Sequence, residues 1–288
     1  MNKKLLVLIS FVLIISFIFV FLKIKKPEKN VLVTTTTKPF FDKEISAKSF
    51  LIGDIKNNKV IYSSNENLLV PIASISKLVS SLVVLDNMDM SQYIKVTREH
   101  QKGLESLKFY LHETVSVKDV LKMGLIMSSN DAFFMLARNY GYDSFIYKMN
   151  MKVGVIGMGN SSFVEPTGLS CENKSTALDL FKLAGYIYNN YPLIGEITRK
   201  KSYSFVSLEK VGHTAISTDH LLGDIPEIWA GKTGFTDEAG ECLIVIYEIE
   251  KGEEKFPFVT VVLNSDNRFE DTEKMYNWLK ENLNKIIN

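Results

Sequence analysis

Glu241 to Leu263 reads ECLIVIYEIEKGEEKFPFVTVVL, and its two ends decide the fold. ECLIVIYE (241–248) and FPFVTVVL (256–263) are rich in β-branched and aromatic residues, and they share a short Lys251-Gly252 turn. Two strands joined so closely pair antiparallel. After them, residues 269–286 are amphipathic with a helical period. Far upstream, residues 49–62 give two further β-rich runs around Asn57-Asn58, the pattern of a hairpin. Between these β-rich ends the period changes. Leu78, Leu82 and Leu85 mark a helix over 74–85, and residues 117–139 hold two helical patterns broken around Met127–Asn130. Residues 144–154 and 175–188 are also helical in pattern. Strands, a helical block, strands and a terminal helix predict an α+β fold: an antiparallel β-sheet flanked by helices, with a helical subdomain.

The chain has 288 residues, 46% hydrophobic and 23% charged, with 34 basic and 33 acidic side chains. That length holds a large core, and the composition excludes a disulfide-stapled miniprotein and a disordered tail. Leu5 to Leu22 is apolar except for Ser10 and Ser16, with Lys3 and Lys4 before it and Lys23, Lys25 and Lys26 after it. As a helix it would span roughly 27 Å, enough for a bilayer core. It lacks a small-residue cleavage site, so an uncleaved signal-anchor is expected over 1–26, with a cleaved, secreted form as the alternative. Residues 27–45, with Pro27, Thr34 to Thr37 and Pro39, read as a polar spacer, and 46–288 as the folded domain. Beyond residue 30 the balance is acidic, which gives no basic face for nucleic acid. Cys171 and Cys242 are expected as free thiols, and the four histidines lack zinc-site spacing. Gly154, Gly157 and Gly159 are read as a helix-ending turn and not a nucleotide loop.

Three short motifs carry chemistry. Ser74-Ile75-Ser76-Lys77 is S-x-x-K, Ser128-Ser129-Asn130 is S-x-N, and Lys232-Thr233-Gly234 is K-T-G. Residues i and i+3 share a helix face, so the Lys77 amine can reach the Ser74 hydroxyl. A serine hydroxyl attacks well only when a neighbouring base takes its proton, and an amine serves once burial or a nearby cation lowers its pKa. Ser74 in the first helical turn also meets the positive end of the backbone dipoles. Each motif alone is weak: Ser207–Lys210 repeats S-x-x-K and Ser63–Asn65 repeats S-x-N. Their order and setting are what signify: a helix start, an inter-helix loop, then a strand edge.

Residues 46–264 resemble the serine D-alanyl-D-alanine carboxypeptidases, the low-molecular-weight penicillin-binding proteins of peptidase family S11. Pro71-Ile72-Ala73-Ser74-Ile75-Ser76-Lys77-Leu78 resembles the family's P-x-A-S-x-T-K-L, and Ser128-Ser129-Asn130-Asp131-Ala132 its S-G-N-D-A. Met149-Asn150 with Gly157-Met158, Pro166-Thr167-Gly168-Leu169, and Ser175-Thr176-Ala177 with Asp179-Leu180 match further family segments. The most specific stretch is Lys232-Thr233-Gly234-Phe235-Thr236-Asp237-Glu238-Ala239-Gly240, close to K-T-G-Y-T-D-E-A-G. The resemblance implies that Ser74 attacks the penultimate D-alanine carbonyl of a peptidoglycan stem peptide. Lys77 would be the general base, and Ser128 would relay a proton to the leaving nitrogen. Asn130 would bind the substrate backbone. Lys232 and Thr233, followed by Gly234, would hold the terminal carboxylate, with Lys232 helping to keep Lys77 neutral. The N–H groups of Ser74 and Phe235 would form the oxyanion hole. β-Lactams would acylate the same serine. No metal or organic cofactor is implied, and the N-terminal helix would tether the domain outside the bacterial cell membrane.

Four positions depart from the family pattern: Ser76 for threonine, Ser129 for a glycine at the floor of the site, Ala230 for glycine, and Glu165 for asparagine. Glu165-Pro166 invites comparison with the glutamate that activates the deacylating water in class A β-lactamases; a surface or structural role is the default. The alternatives to the carboxypeptidase are a D,D-endopeptidase of the same family, a β-lactamase, and a non-catalytic wall-binding or β-lactam-sensing protein. The last predicts decay of Ser74, Lys77 or Lys232, and all three are present.

Overall fold

A computed structural model describes residues 32–33, 44–102 and 107–287. The strands are β1 (Leu32–Val33), β2 (Ser49–Asp54), β3 (Lys59–Ser64), β4 (Val70–Pro71), β5 (Tyr93–Lys95), β6 (Thr114–Ser116), β7 (Lys174–Ser175), β8 (Ser202–Val206), β9 (Gly212–Ile216), β10 (Ile228–Thr236), β11 (Gly240–Lys251) and β12 (Glu254–Ser265). The helices are α1 (Ser76–Asn87), α2 (Arg98–Gln101), α3 (Val117–Ile126), α4 (Asn130–Tyr140), α5 (Tyr142–Ile156), α6 (Ala177–Asn190), α7 (Pro192–Thr198) and α8 (Arg268–Ile286). Among the described residues the main sheet runs β1-β3-β2-β12-β11-β10, antiparallel except for the short β1–β3 pairing. The expected α+β architecture is therefore what forms.

The hairpin read from Glu241–Leu263 is β11–β12, closed at Gly252 with φ +64°. Its strands are buried along most of their length because helices cover both faces. On one face Met275, Trp278 and Leu279 of α8 join Leu243, Val245, Tyr247, Phe258 and Val262 in one apolar cluster. On the other, α6 lies against β2 and β12. Each large side chain so buried stabilises the fold by about 1.5–3 kcal/mol. The β2–β3 hairpin turns at Asn57-Asn58: the Asp54 carboxylate accepts from the Asn57 backbone N–H at 3.0 Å, and Asn58 takes φ +50°.

The helical block follows its local signals. Ser116, Ser129 and Thr176 cap α3, α4 and α6 by accepting backbone N–H groups three residues on. α5 ends at left-handed Gly157, so the 154–159 glycines close a helix. Leu32–Asn288 forms one compact unit. The signal-anchor expected over 1–26 and most of the 27–45 spacer lie outside the described residues. Among the described residues no helix is long and apolar enough to cross a membrane.

Candidate active site

Ser74 occupies a single 3-10 turn, Ala73–Ile75, that leads directly into α1. Ala73 holds φ +46°, a left-handed conformation that costs a non-glycine residue energy and persists only under external constraint. Two glycines show the constraint. A Cβ on Gly168 would stand 1.8 Å from the Ala73 carbonyl oxygen, and Gly168 itself has φ +88°. A Cβ on Gly234 would stand 2.9 Å from the Ile72 carbonyl oxygen and 3.1 Å from the Ser74 nitrogen. The loop at Gly168 and the edge strand β10 thus press on the nucleophile's turn at backbone contact.

One turn of helix beyond Ser74, the Lys77 amine is fully buried and lies 2.6 Å from Ser74 Oγ, 2.7 Å from Asn130 Oδ1 and 2.8 Å from the Thr167 carbonyl oxygen. Burial disfavours the ammonium and lowers its pKa from 10.5 to about 7, while the Glu165 carboxylate pulls it upward. Asn130 Oδ1 and the Thr167 carbonyl can only accept hydrogen bonds. A neutral amine gives them its two protons and turns its lone pair to the Ser74 hydroxyl. That is the geometry of a general base beside a nucleophile.

Ser128, in the break between α3 and α4, has φ +60°. Its Oγ accepts from Lys232 Nζ at 2.8 Å, and Lys232 also donates to the Thr233 carbonyl at 2.9 Å. Burial, then the nearby Lys77 and Arg268 charges, hold the Lys232 pKa well below the usual lysine range, against the pull of Asp219. Burial is the largest cause of the lowered Lys77 pKa, and the two buried amines repel each other. Thr233 Oγ1 lies 2.6 Å from Thr218 Oγ1, and Arg268 Nη1 donates to the Gly234 carbonyl at 2.9 Å. Phe235 follows Gly234, 58% exposed at the mouth.

The eight candidate residues therefore meet at one place, in two directly bonded groups: Ser74–Lys77–Asn130, and Ser128–Lys232 with the strand Thr233–Phe235. Ser128 is bonded to Lys232 and not to Lys77. Sequence reasoning missed the Thr167 carbonyl, Thr218, Asp219 and Arg268. A backbone carbonyl leaves no mark on residue type, and the others come from segments the motif spacing does not connect. The duplicate motifs stay apart: Ser207–Lys210 turns the β8–β9 hairpin, and Ser63–Asn65 ends β3.

Glu165 is buried and committed to its own loop. It accepts from the Thr167 N–H at 2.8 Å, Thr167 Oγ1 at 2.6 Å, Asn173 Nδ2 at 2.9 Å and the Gly168 N–H. These bonds hold the loop whose Thr167 carbonyl accepts from Lys77. Ser129 caps α4 and hydrogen-bonds Asp131, turning its hydroxyl to the helix start. Ser76 Oγ is buried with no hydrogen-bond partner among the described residues.

A family model described as D-alanyl-D-alanine carboxypeptidase matches residues 33–267. The chain is 38% identical over 263 residues to a D-alanyl-D-alanine endopeptidase of Escherichia coli (strain K12), covering 88% of this chain and 82% of that protein. It is 31% identical over 208 residues to a D-alanyl-D-alanine carboxypeptidase of Bacillus subtilis (strain 168), covering 68% of this chain and 53% of the relative. Among solved structures, penicillin-binding protein D2 of Listeria monocytogenes in its ampicillin-bound form superposes with a TM-score of 0.71 at 30% identity, covering 83% of this chain and 98% of that one. With the whole Ser–Lys, Ser–Asn and Lys–Thr–Gly constellation inside the matched span, the chain belongs to the D-alanyl-D-alanine carboxypeptidase family of serine peptidases, family S11.

Proposed function

We propose that the protein is a serine D,D-carboxypeptidase that removes the terminal D-alanine from peptidoglycan stem peptides through an acyl-enzyme on Ser74. One observation carries this reading: a buried amine of pKa about 7, its two protons committed to carbonyl oxygens, 2.6 Å from a serine hydroxyl. Lys77 takes the Ser74 proton as Oγ attacks the penultimate D-alanine carbonyl. The N–H groups of Ser74 and Phe235 receive the oxyanion. The C–N bond breaks as a proton passes through Ser128 to the leaving D-alanine nitrogen, and water then releases the shortened peptide. Asn130, its carbonyl engaged by Lys77, offers its N–H2 to the substrate backbone. Lys232 and Thr233 hold the terminal carboxylate, with Arg268 adding positive charge beside Gly234. β-Lactams imitate that terminus and acylate Ser74. The anchor over 1–26 and the spacer over 27–45 would hold the 46–288 domain outside the cell membrane, within reach of the wall.

The test follows a fluorescent penicillin and a D-Ala-D-Ala peptide with the full chain and its Ser74→Ala variant. Covalent labelling and free D-alanine, both lost in the variant, are expected; absence of labelling in the unaltered chain would sink the assignment. Cleavage of cross-links is the second reading. It is favoured by the 38%-identical relative named as an endopeptidase. A cross-linked muropeptide dimer cut faster than the linear peptide is released would select it.

A further inference from the structure

A cleft outside the three motifs opens at the start of β10. It encloses about 430 Å³, within the roughly 300–1,000 Å³ of small-ligand sites. Trp229 of β10 lines it, with Arg199 at the end of α7, Glu227 just before β10, and Glu248 and Glu250 of β11. The fold sets this lining in place. A Cβ on Gly195 would stand 2.9 Å from the indole Cε2 and Cζ2 of Trp229, so the backbone of α7 lies directly against the ring. The Tyr188 ring, from α6, lies 4.9 Å from the indole, and its hydroxyl donates to Glu248 at 2.7 Å. Tyr276 of α8 donates to Glu227 at 2.8 Å. The Glu227 and Glu248 side chains are each 21% exposed, whereas Glu250, at 69%, stands at the rim.

Charge selects against an ion in this cleft. Its three carboxylates are matched by three cations: Arg199 in the lining, Lys255 at 2.6 Å from Glu248 and 3.6 Å from Glu250, and Lys280 at 2.6 Å from Glu227. With no net charge to offer, the cleft favours neither an anion nor a cation. Hydrogen-bonding capacity remains in both directions. Glu227 and Glu248 each accept two bonds, of the about four that a carboxylate can take. The Arg199 guanidinium and the Trp229 indole N–H make no hydrogen bond among the described residues. A ligand suited to this lining is neutral, carries groups that both donate and accept, and has C–H surface to lay against an indole. A sugar has that chemistry: its hydroxyls do both, and an acetamido group adds a carbonyl for Arg199 and an N–H for a carboxylate.

We propose that the Trp229 cleft binds a neutral carbohydrate, an N-acetylated sugar of the glycan chain that carries the stem peptides. The inference rests on the D,D-peptidase reading for the identity of that chain, and adds to it a contact that holds the enzyme on the polymer. Trp229 and Lys232 are three residues apart on β10, about 10 Å at a rise of roughly 3.3 Å per residue. An extended peptide of four residues reaches about 14 Å. A glycan in the cleft therefore keeps its own or a neighbouring stem peptide within reach of the K-T-G residues.

The experiment titrates the full chain with a β-1,4-linked N-acetylglucosamine tetramer and reads tryptophan fluorescence. The chain has two tryptophans, and Trp278 is buried in the core cluster, so a saturable change is expected from Trp229 and should vanish in Trp229→Phe. Arg199→Ala, at an exposed and unbonded side chain, should raise Kd about tenfold. The same variant should raise KM about tenfold for stem peptides attached to soluble glycan chains. It should leave kcat/KM for the free peptide, and labelling by penicillin, within about twofold. No saturable change in the unaltered chain, a change that survives in Trp229→Phe, or an equal KM shift on attached and free peptides would overturn the proposal. Tighter binding of the cationic, de-acetylated tetramer would do the same, since the cleft would then be reading charge. Should Trp229→Phe fail to fold, the Arg199→Ala titration decides alone. Failure of the unaltered chain on every D-Ala-D-Ala substrate and on penicillin would strike the peptidase reading itself, whereas the titration reads carbohydrate binding without catalysis.

Discussion

Lys77 has three oxygen neighbours and, when neutral, two protons to give. Protonated, it donates to Ser74 Oγ as well and the serine has no base, so acylation must fall as Lys77 gains its proton. Burial lowers its pKa to about 7, which places the acid limb of kcat/KM for β-lactam acylation at about pH 7, with a plateau above. A stopped-flow pH series with a fluorescent penicillin checks this, and a limb near the usual lysine pKa would contradict it. Glu165 acts on the same equilibrium from the other side. Its carboxylate raises the Lys77 pKa, so Glu165→Gln should move the limb to lower pH. The amide can also no longer accept every bond in the loop, and the plateau should drop several-fold. A glutamate that activated deacylating water would behave differently: its loss would trap the acyl-enzyme while sparing its formation. Ser74, Lys77 and Asn130 were legible in the chain because side-chain chemistry defines them. Thr167 was not, because its contribution is a carbonyl that every residue type possesses.

The turn Ile72–Ser76 is the element on which the site depends, and its neighbours over-determine it. Gly168 has neither the space nor the backbone conformation for a side chain. Gly168→Ala should cost about 1–3 kcal/mol and push the Ala73 carbonyl aside. The expected result is a lower Tm together with at least a hundredfold slower penicillin labelling; normal labelling would show that the loop does not hold the turn. A contrasting joint lies at the start of α8. Asp271 accepts from the Ser46 and Ala47 backbone N–H groups at 3.0 Å each, from Ser46 Oγ at 2.8 Å and from Ser265 Oγ at 2.6 Å. Asp271→Asn leaves buried donors facing an amide and should destabilise by about 1–3 kcal/mol. Chemical denaturation reads the loss, and labelling by penicillin at 25 °C should persist. The sequence announced the β2–β3 and β11–β12 hairpins through turn residues and most of the longer helices through their period. The β8–β9 hairpin and the short α7 were missed, because SYSFV and GHTAI give only weak alternation and Pro192–Thr198 is too short to show a period.

At the scale of the whole molecule, helices on both faces of one sheet hold the nucleophile's turn and the K-T-G strand at backbone contact. Phe258 lies at the centre, fully buried in the cluster that joins β11, β12 and α8. Phe258→Ala should cost about 3–5 kcal/mol through lost burial and the cavity left behind. At about 2–4 °C per kcal/mol for a domain of this size, Tm should fall roughly 10 °C. Calorimetry measures it, and a shift under about 3 °C would mean that the core repacks. The sequence by itself determined the sheet-and-helix class, the order of the three motifs and the residues able to act as nucleophile, base and anion receptor. Those follow from periodicity and side-chain chemistry, which are local properties of the chain. Only the tertiary structure decided that Ser128 bonds Lys232, and that the Thr167 carbonyl and Arg268 join the site. Such facts depend on burial and on contacts between segments far apart in sequence, and one-dimensional spacing does not encode them.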